Sequence, residues 1–167
     1  MPKAAGSRSA AWLRIHVDGA ARGNPGPAGA GAVLAPAGSR KPEELSVFLG
    51  EATNNVAEYC ALVLALQRAA RLGVARVEVF TDSELLAKQV TGEYRVKDKH
   101  LHVLHVLIGE LRKGFEEFSI SHIPREKNCA ADRLANRSVS EWIKKNPILG
   151  RRSAPPGPAQ PGQLSLF

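Results

Sequence analysis

The chain has 167 residues, 44% of them hydrophobic, and a formal net charge of +7. That composition supports one folded domain with a sizeable core, and no apolar run reaches the roughly 18–20 residues of a membrane span. The positive excess suits a polyanionic partner, but it equally suits a plain soluble surface, and charge alone does not choose.

Residues 1–11 mix Ala, Ser and Gly with Lys3 and Arg8 and hold no apolar stretch. They read as a disordered leader, not a signal peptide. Leu13 to Val17 alternates as a first strand and runs into Asp18 and a glycine-rich turn that reaches Gly29. Gly29 to Ala35 and Leu45 to Gly50 read as the next two strands, so the first three form an antiparallel meander. Thr53 or Asn54 is placed to cap a long helix in which Val56, Tyr59, Val63, Leu66 and Leu72 recur at helical spacing and Gly73 is the stop.

Arg76 to Thr81 alternates as a fourth strand and ends at Asp82. Ser83 can cap a short helix, Glu84 to Val90. A further helix runs from Lys99 to Lys113, with Leu101, Leu104, Leu107, Ile108 and Leu111 expected on one side. Phe118 to Ile123 is the fifth strand, 124–128 a loop, and Cys129 to Lys145 the last helix, with Ala131, Leu134, Ala135, Val139 and Trp142 inward. Cys60 and Cys129 fall in helices and are expected reduced and buried. The order predicts one α/β domain over residues 12–146: a five-stranded mixed sheet with helices on both faces. Residues 147–162 are rich in Pro and Gly and read as a linker.

Four acids fall at ends of these elements. Asp18 and Asp82 follow strands, Glu58 lies near the start of the first long helix, and Asp132 near the start of the last. In α/β sheets such ends gather at one rim. Taken singly, each acid is a turn residue, a first-turn charge or a surface group. Brought together they would repel, and a cation is then expected. An all-oxygen set suits Mg²⁺ or Mn²⁺ over Zn²⁺.

The text around each acid resembles the type 1 ribonuclease H family. The resemblance rests on Asp18-Gly-Ala-Ala-Arg-Gly-Asn-Pro-Gly-Pro-Ala-Gly, on residues 53–59 around Glu58, on Phe80-Thr81-Asp82-Ser83, and on residues 124–135 around Asp132. The four motifs occur in the family's order across about residues 13–145. The resemblance implies an endonuclease that cuts the RNA strand of an RNA–DNA hybrid and leaves 5′-phosphate and 3′-hydroxyl ends. It implies that Asp18, Glu58, Asp82 and Asp132 hold two metal ions, with Asp18 bridging them. It also implies that Gly23, Asn24, Asn54 and Asn55 lie against the minor groove and that Thr53 meets a DNA phosphate. Helix capping alone would equally explain Thr53 and Asn54.

The chain departs from the family in three places. Some members carry a histidine in the loop before the last acid; here the loop holds Arg125, the candidate for that catalytic role, while His122 lies in the strand. A simple ion pair between Arg125 and Glu126 is the plain alternative. Glu84 stands where a substrate-binding glutamine is common. Residues 93–99 are short and lack Trp, so the chain resembles the compact subgroup without a basic insertion.

The last five residues, Gln163, Leu164, Ser165, Leu166 and Phe167, resemble the peptide by which bacterial proteins bind the DNA sliding clamp. A linker presenting a glutamine and apolar anchors to a groove is a recurrent recognition mode. The expected molecule is a cytoplasmic, membrane-free monomer that meets hybrids and the clamp. Two alternatives stay open at this level: a nuclease of the same fold acting on other nucleic acids, and a hybrid-binding adaptor without catalysis.

Overall fold

The computed structural model describes residues 9–38 and 41–147. Residues 1–8 of the expected leader, Ser39, the linker beyond residue 147 and the Gln163 to Phe167 peptide lie outside them. In chain order the elements are β1 (Ser9–Ala21), β2 (Gly26–Pro36), β3 (Glu43–Ala52), α1 (Asn54–Arg71) and β4 (Val74–Thr81). There follow α2 (Glu84–Thr91), α3 (Lys99–Arg112), β5 (Glu117–His122), a 3₁₀ turn (Arg125–Lys127) and α4 (Cys129–Lys145). The sheet order is β3-β2-β1-β4-β5. β1, β2 and β3 pair antiparallel, and β4 and β5 add in parallel beside β1. The meander followed by strand–helix alternation is therefore as the pattern implied.

Alternation along β1 divides the two faces. Leu13, Ile15 and Val17 are all but fully buried in one cluster with Tyr59, Leu62 and Leu66 of α1 and Leu101 and Ile108 of α3. Each such aliphatic side chain contributes about 1.5–3 kcal/mol by leaving water. On the opposite face β2 offers Gly29 and Gly31, where an added Cβ would run into Ala131, Ala135 and Ser138 of α4. Trp142 of α4 stacks on Phe48 of β3, with ring centroids 4.5 Å apart. The missing side chains let α4 lie close on the sheet and carry Asp132 toward its rim.

Helix starts are set by local side chains. Thr53 Oγ1 accepts from the Val56 amide at 3.2 Å, Ser83 Oγ from Leu86 at 3.2 Å, and Asp98 Oδ1 from His100 and Leu101 at 2.8 and 3.0 Å. Of the two candidates, Thr53 is the cap of α1 and Asn54 its first residue.

The structure corrects several sequence expectations. β1 does not stop before Asp18. It continues to Ala21, paired with β2 up to Ala21 opposite Ala28, whereas its pairing with β4 ends at Val17 opposite Thr81. Residues 9–11, assigned to the leader, belong to β1, and Ser9 pairs with Val74. Leu107 is 46% exposed, one helical step of 100° from buried Ile108, and shares the outer surface of α3 with Val103 and Val106. Cys60 is half-buried and Cys129 exposed; neither is bridged. Cys129 lies at the very start of α4, where its thiol donates to the Glu126 carbonyl at 3.1 Å instead of entering the core.

Candidate active site

Asp18 sits where β1 parts from β4, one position beyond their last pair, and Asp82 follows the last residue of β4. Two strand ends therefore deliver two carboxylates to one opening. Gly19 brings the third. An added Cβ there would collide with the backbone of Ala57 and Glu58, so α1 can rest its first turn directly on β1. Glu58 is thereby pressed against Asp18. Ligand oxygens of Asp18, Glu58 and Asp82 all lie within 4.8 Å of one another.

Asp132, in the first turn of α4, lines the same cleft but stands outside that close group. Its Oδ1 accepts from Arg125 at 3.0 Å. Arg125 thus pairs with Asp132, not with Glu126, while its side chain stays 76% exposed. The cleft has a volume of about 380 Å³ and is also lined by Asn54, Ser83 and Asn136.

The electrostatics follow from burial. Asp18 is 3% and Glu58 6% exposed. Loss of water, and then the nearby Asp82 charge, push the Asp18 carboxyl up to about 7. Burial, then the charge of Asp18, raises Glu58 well above the usual carboxylate range. Both carboxyls are thus pushed toward holding a proton that an ordinary carboxylate would have released. Glu58 Oε2 is buried and has no hydrogen-bond partner. An orphaned carboxylate oxygen among three crowded acids, with only oxygen donors, fits a hard divalent cation.

The predicted substrate contacts fall beside this cleft. Gly23 adopts φ +98° in the tight β1–β2 connection. Asn24, from the same connection, accepts through Oδ1 from the Asn54 amide at 3.1 Å, so the hairpin tip is tied to the start of α1. Asn54 lines the acid cleft; Asn55 is exposed next to it, and Thr53 is half-buried and occupied as a cap. His122 is exposed at the end of β5, and Glu84 pairs with Lys88 at 2.8 Å.

Sequence reasoning missed Ser83, Asn136 and Asn128 as parts of the site. Asn136 lies one turn after Asp132 and donates to its carbonyl at 3.0 Å, a spacing visible in the sequence. Asn128 carried no such signal, because only the fold turns its side chain inward.

A mixed sheet whose parted strands hold a buried carboxylate cluster defines a cation-binding α/β domain. The sequence model of the family described as Reverse transcriptase-like matches residues 16–138, which takes in all four acids. The chain belongs to this ribonuclease H-like family. It is 44% identical over 130 residues to a protein of Halobacterium salinarum named ribonuclease HI, covering 77% of this chain and 65% of that one. The N-terminal ribonuclease H domain of a Mycobacterium tuberculosis protein superposes with a TM-score of 0.74 at 40% identity, covering 77% of this chain and 98% of that one. The LC11 ribonuclease H1, solved in complex with an RNA/DNA hybrid, gives 0.72 at 38% identity, covering 78% and 99%. The chain thus spans somewhat under two thirds of its Halobacterium relative, and about a third of the mycobacterial protein's full length.

Proposed function

We propose that this chain is an endoribonuclease that hydrolyses the RNA strand of RNA–DNA hybrids and leaves 5′-phosphate and 3′-hydroxyl ends. The observation that carries the reading is the convergence of Asp18, Glu58 and Asp82 within 4.8 Å, with Asp132 on the same cleft wall. The likeness to a ribonuclease H1 solved with an RNA/DNA hybrid supports the substrate class.

Asp18, Glu58, Asp82 and Asp132 would hold two Mg²⁺ or Mn²⁺ ions. Such ions would activate the attacking water and neutralise charge on the phosphate it attacks and on the 3′-oxygen that leaves. The remaining work falls to the chain itself. Asp18 and Glu58, whose hold on a proton burial has raised, would exchange it for the cation's charge. Arg125 balances Asp132 while the site is open and offers its guanidinium to the phosphate when substrate enters. The Asn24–Asn54 bond holds two polar side chains and the bare backbone of Gly23 toward the shallow minor groove, where 2′-hydroxyls mark the RNA strand. Asn55 adds to that surface, and Thr53 meets a DNA phosphate. The net charge of +7 draws the polyanion in and makes binding weaken with salt.

In the same reading Gln163, Leu164, Leu166 and Phe167 dock on the bacterial sliding clamp, and the protein acts as a cytoplasmic monomer concentrated at DNA. Labelled hybrid, double-stranded RNA and double-stranded DNA, each with Mg²⁺ or Mn²⁺, test the activity. Cleavage of the hybrid RNA strand, lost in Asp18→Asn, is the expected result. Cutting of another duplex in its place, or no cutting at all, overturns it. Removing residues 163–167 should abolish co-elution with the clamp and leave cleavage of short hybrids unchanged.

A further inference from the structure

Asn128 precedes α4 at the position where an asparagine normally caps a helix with its side chain. It makes no such bond. Its side chain is turned inward instead and is 1% exposed. The amide nitrogen Nδ2 donates to the Val17 carbonyl at 2.9 Å and to Asp82 Oδ1 at 2.9 Å. Both partners are acceptors, so the orientation of the amide is unambiguous. The other end, Oδ1, is buried without a partner. The backbone of the same residue accepts from the Asp132 amide at 3.1 Å.

This arrangement gives up a helix cap and leaves a buried carbonyl oxygen unpaired. In exchange it satisfies the Val17 carbonyl at the end of the β1–β4 pairing and one oxygen of Asp82. What it secures lies at the opening between β1 and β4. Pairing of these strands ends at Val17 and Thr81, and each strand's acid stands one residue further on. The Asn128 amide sits in that gap. It links the residue before Asp18 to the carboxylate of Asp82, from the residue that opens the helix bearing Asp132.

We infer that Asn128 is a positioning residue: its buried amide ties the parted ends of β1 and β4 together and sets Asp18 and Asp82 at the spacing a divalent cation needs. The inference rests on the proposed metal-dependent reading of the site. Asn128 touches no reacting atom. It acts by fixing the rotation of the Asp82 carboxylate and the separation of the two strand ends, as outer partners of metal ligands do.

The test is Asn128→Ser, made in the full chain. Serine is too short to keep both inward bonds, but it can cap α4, and it removes the unpaired carbonyl. The metal-free variant gains a cap but loses the partner of the Val17 carbonyl, so its melting temperature is expected to stay within a few degrees of wild type. Calorimetric titration with Mn²⁺ alone should show the dissociation constant raised about 10–100-fold. With short hybrid substrate, kcat should fall by a similar factor at fixed Mg²⁺ while KM changes by less than about threefold. Unchanged Mn²⁺ affinity overturns the inference, whatever happens to melting. If Asn128→Ser melts early, Asn128→Thr, which can also cap the helix and adds no charge, is titrated beside it under the same criterion. Should the wild type cut no hybrid, the nuclease reading falls, and the Mn²⁺ titration still decides the role of Asn128. A wild type that neither cuts nor binds Mn²⁺ overturns both.

Discussion

The two walls of the acid cleft solve the problem of gathered charge in different ways. On the inner wall, β1 and α1 press Asp18 and Glu58 together at 3% and 6% exposure, and Glu58 Oε2 is left without a partner. Among the described residues no basic side chain is hydrogen-bonded to either. On the outer wall, Asp132 accepts from Arg125 and Asp82 accepts from Asn128. The outer wall is satisfied by the protein's own groups. The inner wall is held in unrelieved repulsion by packing, and only a proton or a cation relieves it. A site that binds metal needs both: a buried anionic pocket that favours the ion, and a rim that keeps its shape before the ion arrives.

The largest expected effect comes from destroying the packing that creates the inner wall. Gly19→Ala places a methyl group against the backbone of Ala57 and Glu58. Lifting α1 off β1 should cost about 3 kcal/mol in denaturant unfolding. It should also separate Glu58 from Asp18 and lower Mn²⁺ affinity. A variant as stable as wild type would mean that the close approach is not what holds the wall.

The next effect relieves the repulsion without moving the backbone. Asp18 titrates near 7 in the folded state against an ordinary value of 3.8, and Glu58 is shifted in the same direction. Between about pH 4 and 7 the folded protein therefore holds a proton that the unfolded chain has released. The linked contribution is fully present below about pH 4 and is lost as pH rises through 7. Metal-free protein should thus show its melting temperature falling over this window. Asp18→Asn should flatten that fall and melt about 3–5 °C above wild type at pH 7.5. Added Mn²⁺ should flatten it too, because the cation takes the place of the proton. A melting temperature that rises from pH 4 to 7 in metal-free wild type would contradict the inner-wall picture.

The smallest effect belongs to the outer wall. Arg125 is largely exposed, so its bond to Asp132 contributes little to folding. Arg125→Ala should change unfolding stability by less than about 0.5 kcal/mol. In steady-state cleavage of hybrid it should lower kcat by about tenfold, with Arg125→Lys recovering part of the loss. Full activity in Arg125→Ala would reduce the residue to a surface charge.

Much of this molecule is legible in the chain itself. Periodicity placed every helix and strand in order, and α4 runs from Cys129 to Lys145 as its pattern implies. The four acids stand out as residues at element ends, the family resemblance singled out Arg125, and all five line one cleft. These signals are local: a repeat of 3.6 or 2, a capping residue, a stop. What depends on partners distant in sequence was decided only by the tertiary structure. β1 carries past Asp18 because β2 continues to pair with it while β4 does not. Leu107 and Cys129 are exposed because no element among the described residues covers them, which their own text cannot reveal. Asp132 lies apart from the inner three on the first turn of α4, where it accepts from Arg125. Asn128 falls in the loop expected before the last helix, yet its amide reaches Val17, 111 residues away in the chain. Composition and spacing determined which carboxylates could meet; close packing at Gly19, Gly29 and Gly31 decided how closely they do.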